Sequence, residues 1–497
     1  MQNQSRRSFF KTAALSAVGA AALTSGAAEA AGKKAAKKAE GGRYDMIIVG
    51  AGCGGLVCAV RAAQIGLKPI LLEKMGDSAG NTIYAAGFML GTNTKMQKAA
   101  GISGDSADKF YDDMIKVSKG HGDPALTRYF VDNCDKTLEW MSDYCGVKFK
   151  AGMKLVFPML TRAHLVVGPT QPGGSQLALY LQAKAKSLGV PMLFNTKVVK
   201  LLQNSKGMID GVKVKTKTGY SEIHSRAGVI LATGGYSANQ AMVTMYAGSA
   251  AAKMPIRGSR IIAGENIVLT QPFMPKIVNV DQYHCGPIHG PTGANPLNIV
   301  NKGICVSKEK TERFTDEGQT YVQMSRDTAA KTKDNWAFMI VDDDVHNLKV
   351  LANDWNSYAR NRAPVYKADT IEDLAKQAGL DPKKLAKIVK DYNAANDNNT
   401  RGKLVPPNTL PKAYPVKKAP FYAVPFQGGM TATFGGPLVN TNAQVLDTEN
   451  QPIPGLFAIG NAAGGLFYDD YVGGAQLTNA AVYGYHVADY IKAQLKK

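Results

Sequence analysis

Three glycines and one acidic residue near the start of the chain have the types and spacing of a site for phosphate and ribose. Gly50, Gly52 and Gly55 directly follow the apolar segment Tyr44–Val49. Glycine at these positions allows a tight turn, a close approach of the main chain to a pyrophosphate, and close packing of helix on strand. Glu73 lies 23 residues after Gly50, where a carboxylate binds the hydroxyls of an unphosphorylated ribose. This order of residues predicts a dinucleotide site.

The elements that must position these residues are readable in the same segment. Residues 44–49 form a buried-type strand, and the stretch Leu56–Ile65 has helical character, so its first N–H groups face the phosphate. The apolar segment Pro69–Leu72 is a second strand that ends at Glu73. The dinucleotide at such a unit is either NAD or FAD.

Three later segments favour FAD. Val229–Gly235 and Pro454–Asn461 are each an apolar strand that ends in a turn of small residues. Gly473–Leu477 opens a final helix that reaches about Ala493. The high glycine content of 51 residues suits tight turns around a large ligand.

With these segments the chain, from about Tyr44 to Gln494, resembles the fumarate reductase and 3-ketosteroid dehydrogenase family of flavoproteins. Other parts of the resemblance are Ser78–Thr82, Ala86-Gly87, Gly264–Asn266, Arg313–Glu317, Phe421–Ala423 and Gly435-Gly436. The resemblance implies an α/β fold, with a split Rossmann-like FAD-binding domain and an inserted α+β capping domain. It also implies FAD as cofactor, which we expect to be non-covalent because no flavinylation motif is present.

The motifs assign the cofactor contacts residue by residue. The residues expected to bind FAD are Gly50, Gly52, Cys53, Gly54, Gly55, Glu73, Asn81, Thr82, Ala86, Gly87, Ala232, Thr233, Gly234, Gly235, Glu265, Asn266, Gly460, Asn461, Gln476 and Leu477.

The predicted domain organisation follows from the same resemblance. Residues 44–270 and 421–497 are the two parts of the FAD-binding domain, and residues 271–420 form the capping domain. Two short amphipathic helices are predicted in the tail of the cap, around Gly379–Pro382. A cap that closes over the substrate would exclude water from hydride transfer.

The resemblance also implies catalytic positions, and here the chain departs from the members that act on dicarboxylates. Those members have a histidine three residues before the first glycine of Gly435-Gly436, where this chain has Ala432. Their carboxylate-binding arginine before Gly473 is replaced by Tyr471, and a gapless alignment replaces their proton-donor arginine by Tyr321. Loss of two cationic contacts makes fumarate an unsuitable substrate.

Two further residues stay open at this point. A five-residue insertion in the alignment would make Arg326 the proton donor instead of Tyr321. His284 falls near the family's third substrate contact, although a buried histidine without a catalytic role is an equally good interpretation. The pair Tyr321 and Tyr471 matches the ketosteroid branch, in which one tyrosine handles a proton at carbon and another polarises a ketone.

The N-terminus has the features of an export signal. The twin-arginine sequence Ser5–Lys11 precedes an Ala/Gly-rich stretch and the small-residue cleavage site Ala28–Ala30. Residues 1–30 are therefore predicted to be a twin-arginine signal peptide and residues 31–43 a basic linker, which gives a periplasmic location. This route exports folded proteins, so FAD would be loaded before export.

Composition excludes several other classes of protein. Of 497 residues, 45% are hydrophobic and 20% are charged, which is an ordinary globular composition. The six cysteines form no CxxC pair, which argues against zinc ribbons, iron–sulfur clusters and attached haem. No metal site is predicted. The net charge of +20 is compatible with an acidic redox partner, whereas the predicted compartment makes nucleic acid an unsuitable one. Beyond the signal no apolar stretch is long enough for stable membrane insertion.

These observations lead to one functional hypothesis and two alternatives. The hypothesis is a periplasmic FAD-dependent reductase of an activated C=C bond, of the enoate or aryl-acrylate type, which receives electrons from a separate multihaem c-type cytochrome. The first alternative is a 3-ketosteroid-type FAD dehydrogenase that works in the oxidative direction. The second is a non-catalytic flavin module for electron transfer, whose flavin no substrate would reoxidise.

Overall fold

The computed structural model of the chain describes residues 44–496, apart from residues 79, 156, 170–172 and 413. The predicted signal peptide, residues 1–30, and the predicted basic linker, residues 31–43, lie outside the described residues. The strands are β1 Met46–Val49, β2 Pro69–Leu72, β3 Phe88–Leu90, β4 Lys148–Lys150, β5 Ala163–Val167, β6 Met192–Leu193, β7 Lys197–Gln203, β8 Ile209–Thr216, β9 Gly219–His224, β10 Val229–Leu231, β11 Ile277–Val278, β12 Tyr283–Ile288, β13 Ile304–Ser307, β14 Ala337–Val341, β15 Tyr366–Ala368, β16 Phe421–Thr433, β17 Gly436–Pro437, β18 Gln444–Leu446 and β19 Pro452–Ala458.

Helices lie between several of these strands. The α-helices are α1 Cys53–Gln64, α2 Lys95–Ala99, α3 Ala107–Val117, α4 Pro124–Asp143, α5 Gly174–Ser187, α6 Gln240–Ala252, α7 Glu265–Val268, α8 Tyr321–Lys331, α9 Asp343–His346, α10 Ala352–Arg360, α11 Ile371–Ala378, α12 Pro382–Asp397 and α13 Ala475–Gln494.

A six-stranded sheet draws its strands from both ends of the chain. Its order is β18-β19-β10-β1-β2-β6, and β1 pairs in parallel with β2 and β10, while β10 pairs in parallel with β19. All residues of β1, β2 and β10 are buried, as expected for a parallel sheet covered on both faces. The split Rossmann-like domain predicted from the sequence is confirmed.

Helices α1 and α13 pack against each other beside this sheet. Their approach is close because both carry glycine at the crossing: a Cβ on Gly484 would lie 2.5 Å from the Gly54 carbonyl oxygen. Arg61 and Asp489 join the same two helices through an ion pair of 2.8 Å. The first and last helices of the described chain therefore hold the two parts of the FAD-binding domain together.

The inserted domain is built on an antiparallel sheet. The order is β12-β16-β14-β13, with β15 paired to β16. The predicted amphipathic helices near its tail are α11 and α12, and they cover one face through buried side chains such as Leu374, Leu385 and Tyr392. Gly379 ends α11 in the left-handed conformation with φ of 69°.

The structure assigns one strand differently from the predicted domain boundary at residue 421. Strand β16, Phe421–Thr433, pairs with β12, β14 and β15 of the inserted domain rather than with the parallel sheet. Its alternation of small and apolar residues lets both faces be buried, so the sequence pattern alone did not distinguish the two sheets. This strand matters because its end carries Thr431 and Ala432 to the site.

Two features are absent from the described residues. No helix there combines the length and apolarity that crossing a membrane requires. No group of three or more histidine, cysteine or acidic side chains there is arranged to hold a metal ion. All six cysteines are free and buried.

Candidate functional site: a flavin cradle beside a tyrosine cluster

The glycine turn between β1 and α1 is shaped by close main-chain contacts. A Cβ on Gly50, whose φ is 109°, would lie 2.5 Å from the Ala232 carbonyl oxygen, and one on Gly55 would lie 1.9 Å from the Gly50 oxygen. Gly52 differs, since its Cβ would meet nothing closer than Thr82 Oγ1 at 3.5 Å. The turn is therefore tight beneath the helix and open above Gly52, as a pyrophosphate requires.

The start of α1 has no side-chain cap, so its N–H groups depend on other partners. One is provided by Thr82, whose Oγ1 accepts a hydrogen bond of 2.9 Å from the Cys53 amide. The Cys53 thiol in turn contacts the Leu477 carbonyl oxygen of α13 at 3.6 Å. Residues predicted to bind the cofactor from three distant segments thus meet at this helix N-terminus.

Glu73 lies at the end of β2, buried to 5% exposure. Its carboxylate accepts hydrogen bonds of 2.9 Å from the amides of Ala51 and Met75. The two bonds place the carboxylate against the glycine turn and leave lone pairs for ribose hydroxyls. Glu73 therefore stabilises the glycine turn through hydrogen bonds, in addition to its predicted role in binding ribose.

The residues between β2 and β3 that are predicted to bind FAD are held by contacts with distant segments. Asn81 donates to the Thr431 carbonyl at 2.8 Å and accepts from the Ser259 amide at 2.8 Å, which ties it to the end of β16. Gly87, after Ala86, has φ of 86°, and its Cβ would lie 2.2 Å from the Gly173 Cα. These contacts leave no room for larger side chains.

Other residues predicted to bind FAD lie in the turn after β10 and at the start of α7. A Cβ on Gly235 would clash with Thr433 Oγ1 at 2.1 Å, and Ala232 packs on the first glycine turn. Glu265 forms an ion pair with Lys74 at 2.5 Å. Asn266 donates to the carbonyl oxygens of Gly435 and Ala462, at 3.2 and 3.3 Å.

Unpaired polar atoms show how well these residues fit a flavin dinucleotide. Among the described residues, the buried atoms without a hydrogen-bond partner include Gln476 Nε2, Asn266 Oδ1 and Glu265 Oε2. Buried polar atoms are normally paired, because an unsatisfied one costs about 1–3 kcal/mol. Unpaired donors and acceptors at the start of α13 and α7 could bond to the polar ring atoms of a flavin, so the residues present fit FAD.

The two predicted tyrosines and His284 lie together. His284 Nε2 is 3.1 Å from the Tyr321 hydroxyl, and the rings of His284 and Tyr471 are 4.3 Å apart between centroids. Tyr471 is also flanked by Phe434 and Phe467, at 6.3 and 6.2 Å between centroids. The structure therefore brings three of the four predicted catalytic residues into one cluster, hereafter the tyrosine cluster (His284, Tyr321 and Tyr471). In this cluster His284 is buried and the two tyrosines are half-buried.

Local hydrogen bonds explain why these tyrosines meet. Tyr321 is the first residue of α8, and the N-cap Thr320 donates from its hydroxyl to Asp470 at 2.8 Å. Asp470 also accepts from the Tyr471 amide at 2.7 Å. The Tyr471 hydroxyl accepts from the Gly474 amide at 2.8 Å, just before α13. One carboxylate thus connects the two segments that carry the tyrosines.

Burial sets the protonation states in the tyrosine cluster. Burial raises the pKa of Tyr471 to about 12, and it raises the pKa of Tyr321 further above its ordinary value. Burial also holds the pKa of His284 well below its usual range, and the nearby charges of Arg257 and Arg326 act in the same direction. Both phenols are therefore protonated, and the imidazole neutral, at ordinary pH.

Arg326, the alternative proton donor, is engaged in other contacts. Its guanidinium donates to the Tyr283 carbonyl at 2.7 Å, to the Asp469 carbonyl, and to the Asp469 carboxylate at 3.4 Å. Asp469 also pairs with Lys119 at 2.9 Å. Arg326 Nε is buried and unpaired among the described residues.

Arg257, which the sequence analysis did not identify, lies near the tyrosine cluster. Arg257 lies on the segment after α6, and its positive charge acts on the pKa of Tyr321, Tyr471 and His284. A single arginine in an irregular segment has no periodic signal. Glycines inside β12 and β16, at Gly286 and Gly429, were the available signal, because glycine in a strand marks a close approach by another group.

Comparison with known proteins agrees with the geometry. Residues 45–475 match the family model described as the FAD binding domain. A vinyl phenol reductase of Lactiplantibacillus plantarum is 30% identical over 86% of this chain and 91% of its own. A urocanate reductase of Eggerthella lenta is 29% identical over 88% of this chain and 73% of its own.

Among solved structures, the open conformation of a flavocytochrome c3 fumarate reductase superposes with a TM-score of 0.79. The identity is 26%, and the superposition covers 94% of this chain and 81% of that chain. The predicted resemblance and the predicted cofactor are thus confirmed. The chain belongs to the FAD-binding domain family, and it is an FAD-dependent oxidoreductase.

Proposed function

We propose that this chain is a periplasmic FAD-dependent reductase of an activated C=C bond, of the enoate or aryl-acrylate type. The observation that carries the proposal is the tyrosine cluster, in which two protonated phenols and a neutral imidazole lie in contact beside the residues that fit FAD. The names of the relatives support the same class, since urocanate and vinyl phenol both contain a conjugated C=C bond.

Reduction of such a bond needs a hydride at one carbon and a proton at the other, and FAD supplies the hydride when it is bound. Negative charge then develops on the activating carbonyl oxygen and its adjacent carbon. The Tyr471 oxygen accepts its hydrogen bond from the Gly474 amide, so the phenolic proton remains free to bind that carbonyl oxygen. Tyr471 is thus suited to hold and polarise the substrate.

Tyr321 is suited to deliver the proton to carbon. For this role its own proton must face the substrate, so its oxygen must accept from His284 Nε2, which requires the tautomer with the proton on Nε2. The neutral state of His284 permits that tautomer. A buried phenol is a weak acid in isolation, but a positioned donor needs only to transfer its proton as charge develops.

The proposal assigns the electron supply to a separate c-type cytochrome. The sequence has no CxxCH motif for attached haem, and the predicted twin-arginine signal would carry the protein to a compartment without soluble NADH. The similarity to a flavocytochrome supports a haem donor for this kind of flavoprotein domain. We place that haem on a partner protein.

A second candidate is oxidation of a ketosteroid-like substrate. The Tyr321 and Tyr471 pair favours it, because the same phenols could polarise a ketone and take part in proton removal at carbon. It differs from the first candidate in direction: a saturated ketone would reduce the flavin, whereas an unsaturated acid would reoxidise it.

One experiment distinguishes these candidates. The flavin of the purified holoenzyme is reduced anaerobically with a low-potential dye, and enoates, aryl-acrylates, urocanate-like acids and enones are added in turn. The proposal expects rapid reoxidation by at least one unsaturated acid, with the saturated acid as product. Flavin reduction by a saturated ketone would support the second candidate, and an unreactive flavin in both directions would support the non-catalytic alternative.

A further inference from the structure

Arg257 lies close enough to the tyrosine cluster for its charge to act on all three of its residues. Its main-chain amide bonds to the Met430 carbonyl at 2.7 Å, which joins its segment to the edge of β16. The side chain is half-buried, with Nε donating to the Pro287 carbonyl at 3.3 Å and Nη1 donating to Thr431 Oγ1 at 3.0 Å. The guanidinium is therefore oriented by two strands of the inserted domain.

Two glycines make room for this side chain. A Cβ on Gly286 would lie 2.9 Å from Arg257 Cζ and 3.0 Å from its Nη1, and one on Gly429 would lie 3.1 Å from Arg257 Cβ. Any larger residue at either position would displace the arginine. The guanidinium thus lies in a cradle that the strands provide, which is unlike a surface arginine in solvent.

This cation has no anionic partner within the described residues. No carboxylate there lies within ion-pair distance of Arg257, and Nη2 donates no hydrogen bond to a described residue. The groups that interact with its charge are the Tyr321 and Tyr471 phenols and the Cys285 thiol. Burial raises the pKa of each of the three, so all are neutral at ordinary pH.

An arginine partly removed from water and left without a counter-ion is costly unless a ligand provides the negative charge. Arginine matches a carboxylate especially well, because its planar N–H groups bind both oxygens. The dicarboxylate-specific members of the family are expected to have a histidine and an arginine at two substrate-binding positions. This chain has the uncharged residues Ala432 and Tyr471 there. Among the described residues, Arg257 is thus a cation beside the tyrosine cluster that has no ion-pair partner.

We propose that Arg257 binds the carboxylate of the substrate, and that the substrate class is a 2-enoate with a single carboxylate. This inference rests on the proposed function and deepens it. The carboxylate seated on Arg257 is the activating group, and Tyr471 donates to it from the other side. A neutral enone would lack the charge that Arg257 needs, and a dicarboxylate would bring a second charge with no partner.

The test uses holoenzyme and two ligands that differ only in the activating group. Cinnamate carries a carboxylate, and benzalacetone carries a methyl ketone on the same styryl alkene. Wild-type enzyme is expected to have the lower KM for cinnamate. Arg257→Met should raise that KM by about 10- to 100-fold, the loss of one charge-assisted contact, and leave the KM for benzalacetone unchanged. Arg257→Lys should keep part of the preference, because it retains the charge without the planar fork.

Arg260→Met is the matched control, since Arg260 is exposed and lies three residues further along the same segment. It should leave both KM values unchanged. An equal loss for the acid and the ketone in Arg257→Met, with normal FAD content, would overturn the inference. So would a wild-type enzyme that prefers the ketone, or that binds fumarate more tightly than cinnamate.

A binding measurement separates this inference from the proposed function. The saturated ligands 3-phenylpropanoate and 4-phenylbutan-2-one are titrated into the oxidised holoenzyme, and the change in flavin absorbance gives their dissociation constants. Tighter binding of the acid, lost in Arg257→Met, is expected even if no alkene reoxidises the flavin. Failure of every alkene would reject only the reductase function, whereas equal binding of acid and ketone by wild type would reject the role of Arg257.

Discussion

The exchange of Tyr321 for phenylalanine tests the assignment of the proton donor most directly. The ring of Tyr321 packs against two hydrophobic clusters, one within the inserted domain and one that the inserted domain shares with residues 236–267. Phenylalanine preserves that packing. Only the hydroxyl is lost, together with its 3.1 Å contact to His284 Nε2. None of the hydrogen bonds of the glycine turn or of Glu73 involves this residue. FAD content should therefore stay at one per chain.

Two effects of very different size are expected. Removing a positioned general acid lowers turnover by about 10²–10⁴-fold. At about 1.36 kcal/mol for each factor of ten, this equals about 2.7–5.4 kcal/mol of activation free energy. Loss of one hydrogen bond to a neutral imidazole should lower the free energy of unfolding by about 1 kcal/mol. The change in rate is therefore too large to come from local destabilisation.

The assay is a single turnover in an anaerobic stopped-flow instrument, in which reduced enzyme meets substrate and flavin reoxidation is followed by absorbance. Arg326→Gln serves as the comparison, because the shifted alignment makes Arg326 the donor. Its guanidinium is bound to Asp469 and to the Tyr283 carbonyl, so we expect this variant mainly to destabilise the fold. The reasoning is refuted if Arg326→Gln abolishes reoxidation while Tyr321→Phe reoxidises at the wild-type rate.

Four other outcomes are expected. Tyr471→Phe should raise KM and lower kcat together in steady-state assays, because the hydroxyl contacts the substrate in both ground and transition states. Glu73→Ala should weaken FAD binding by about 1–3 kcal/mol in titrations of the apoprotein, and unchanged affinity would contradict its assignment to ribose. Changing Arg6 and Arg7 together to lysine should leave precursor in the cytoplasm on cell fractionation, and normal periplasmic yield would reject the export signal. The free energy of unfolding should fall as the pH drops below about 6.5, because the unfolded chain binds a proton that His284 does not bind in the native state. In chemical denaturation at pH 5–6.5, His284→Gln should show a smaller dependence of this free energy on pH. An identical dependence would contradict the assignment of a neutral His284.

The sequence by itself was sufficient for the cofactor half of the molecule. Strands β1, β2 and β10 and helix α13 lie within a few residues of their predicted positions. The reason is that a strand, a glycine turn and a helix are specified by neighbours in the chain, and the clashes that require Gly50 and Gly55 arise inside that short unit or from the adjoining strand.

The C-terminal boundary of the inserted domain was harder to predict from the sequence. Strand β16 carries a family motif, at Phe421–Ala423, that the sequence analysis assigned to the second part of the FAD-binding domain. Its hydrogen bonds to β12, β14 and β15 place it in the antiparallel sheet instead. An apolar strand buried on both faces has no local feature that identifies its neighbours, so only the folded chain decides the pairing.

The tyrosine cluster and Arg257 depended on tertiary structure most of all. Alignment of motifs was enough to name Tyr321, Tyr471 and His284, but their contacts join three segments that are separated by 37 or more residues. Arg257 belongs to no motif, and its orientation comes from glycines of two strands and from the Thr431 hydroxyl. Types and spacing of residues therefore determined which cofactor this chain binds. Which charges face the substrate was decided by packing, because a guanidinium is directed by whatever surrounds it and not by its neighbours in sequence.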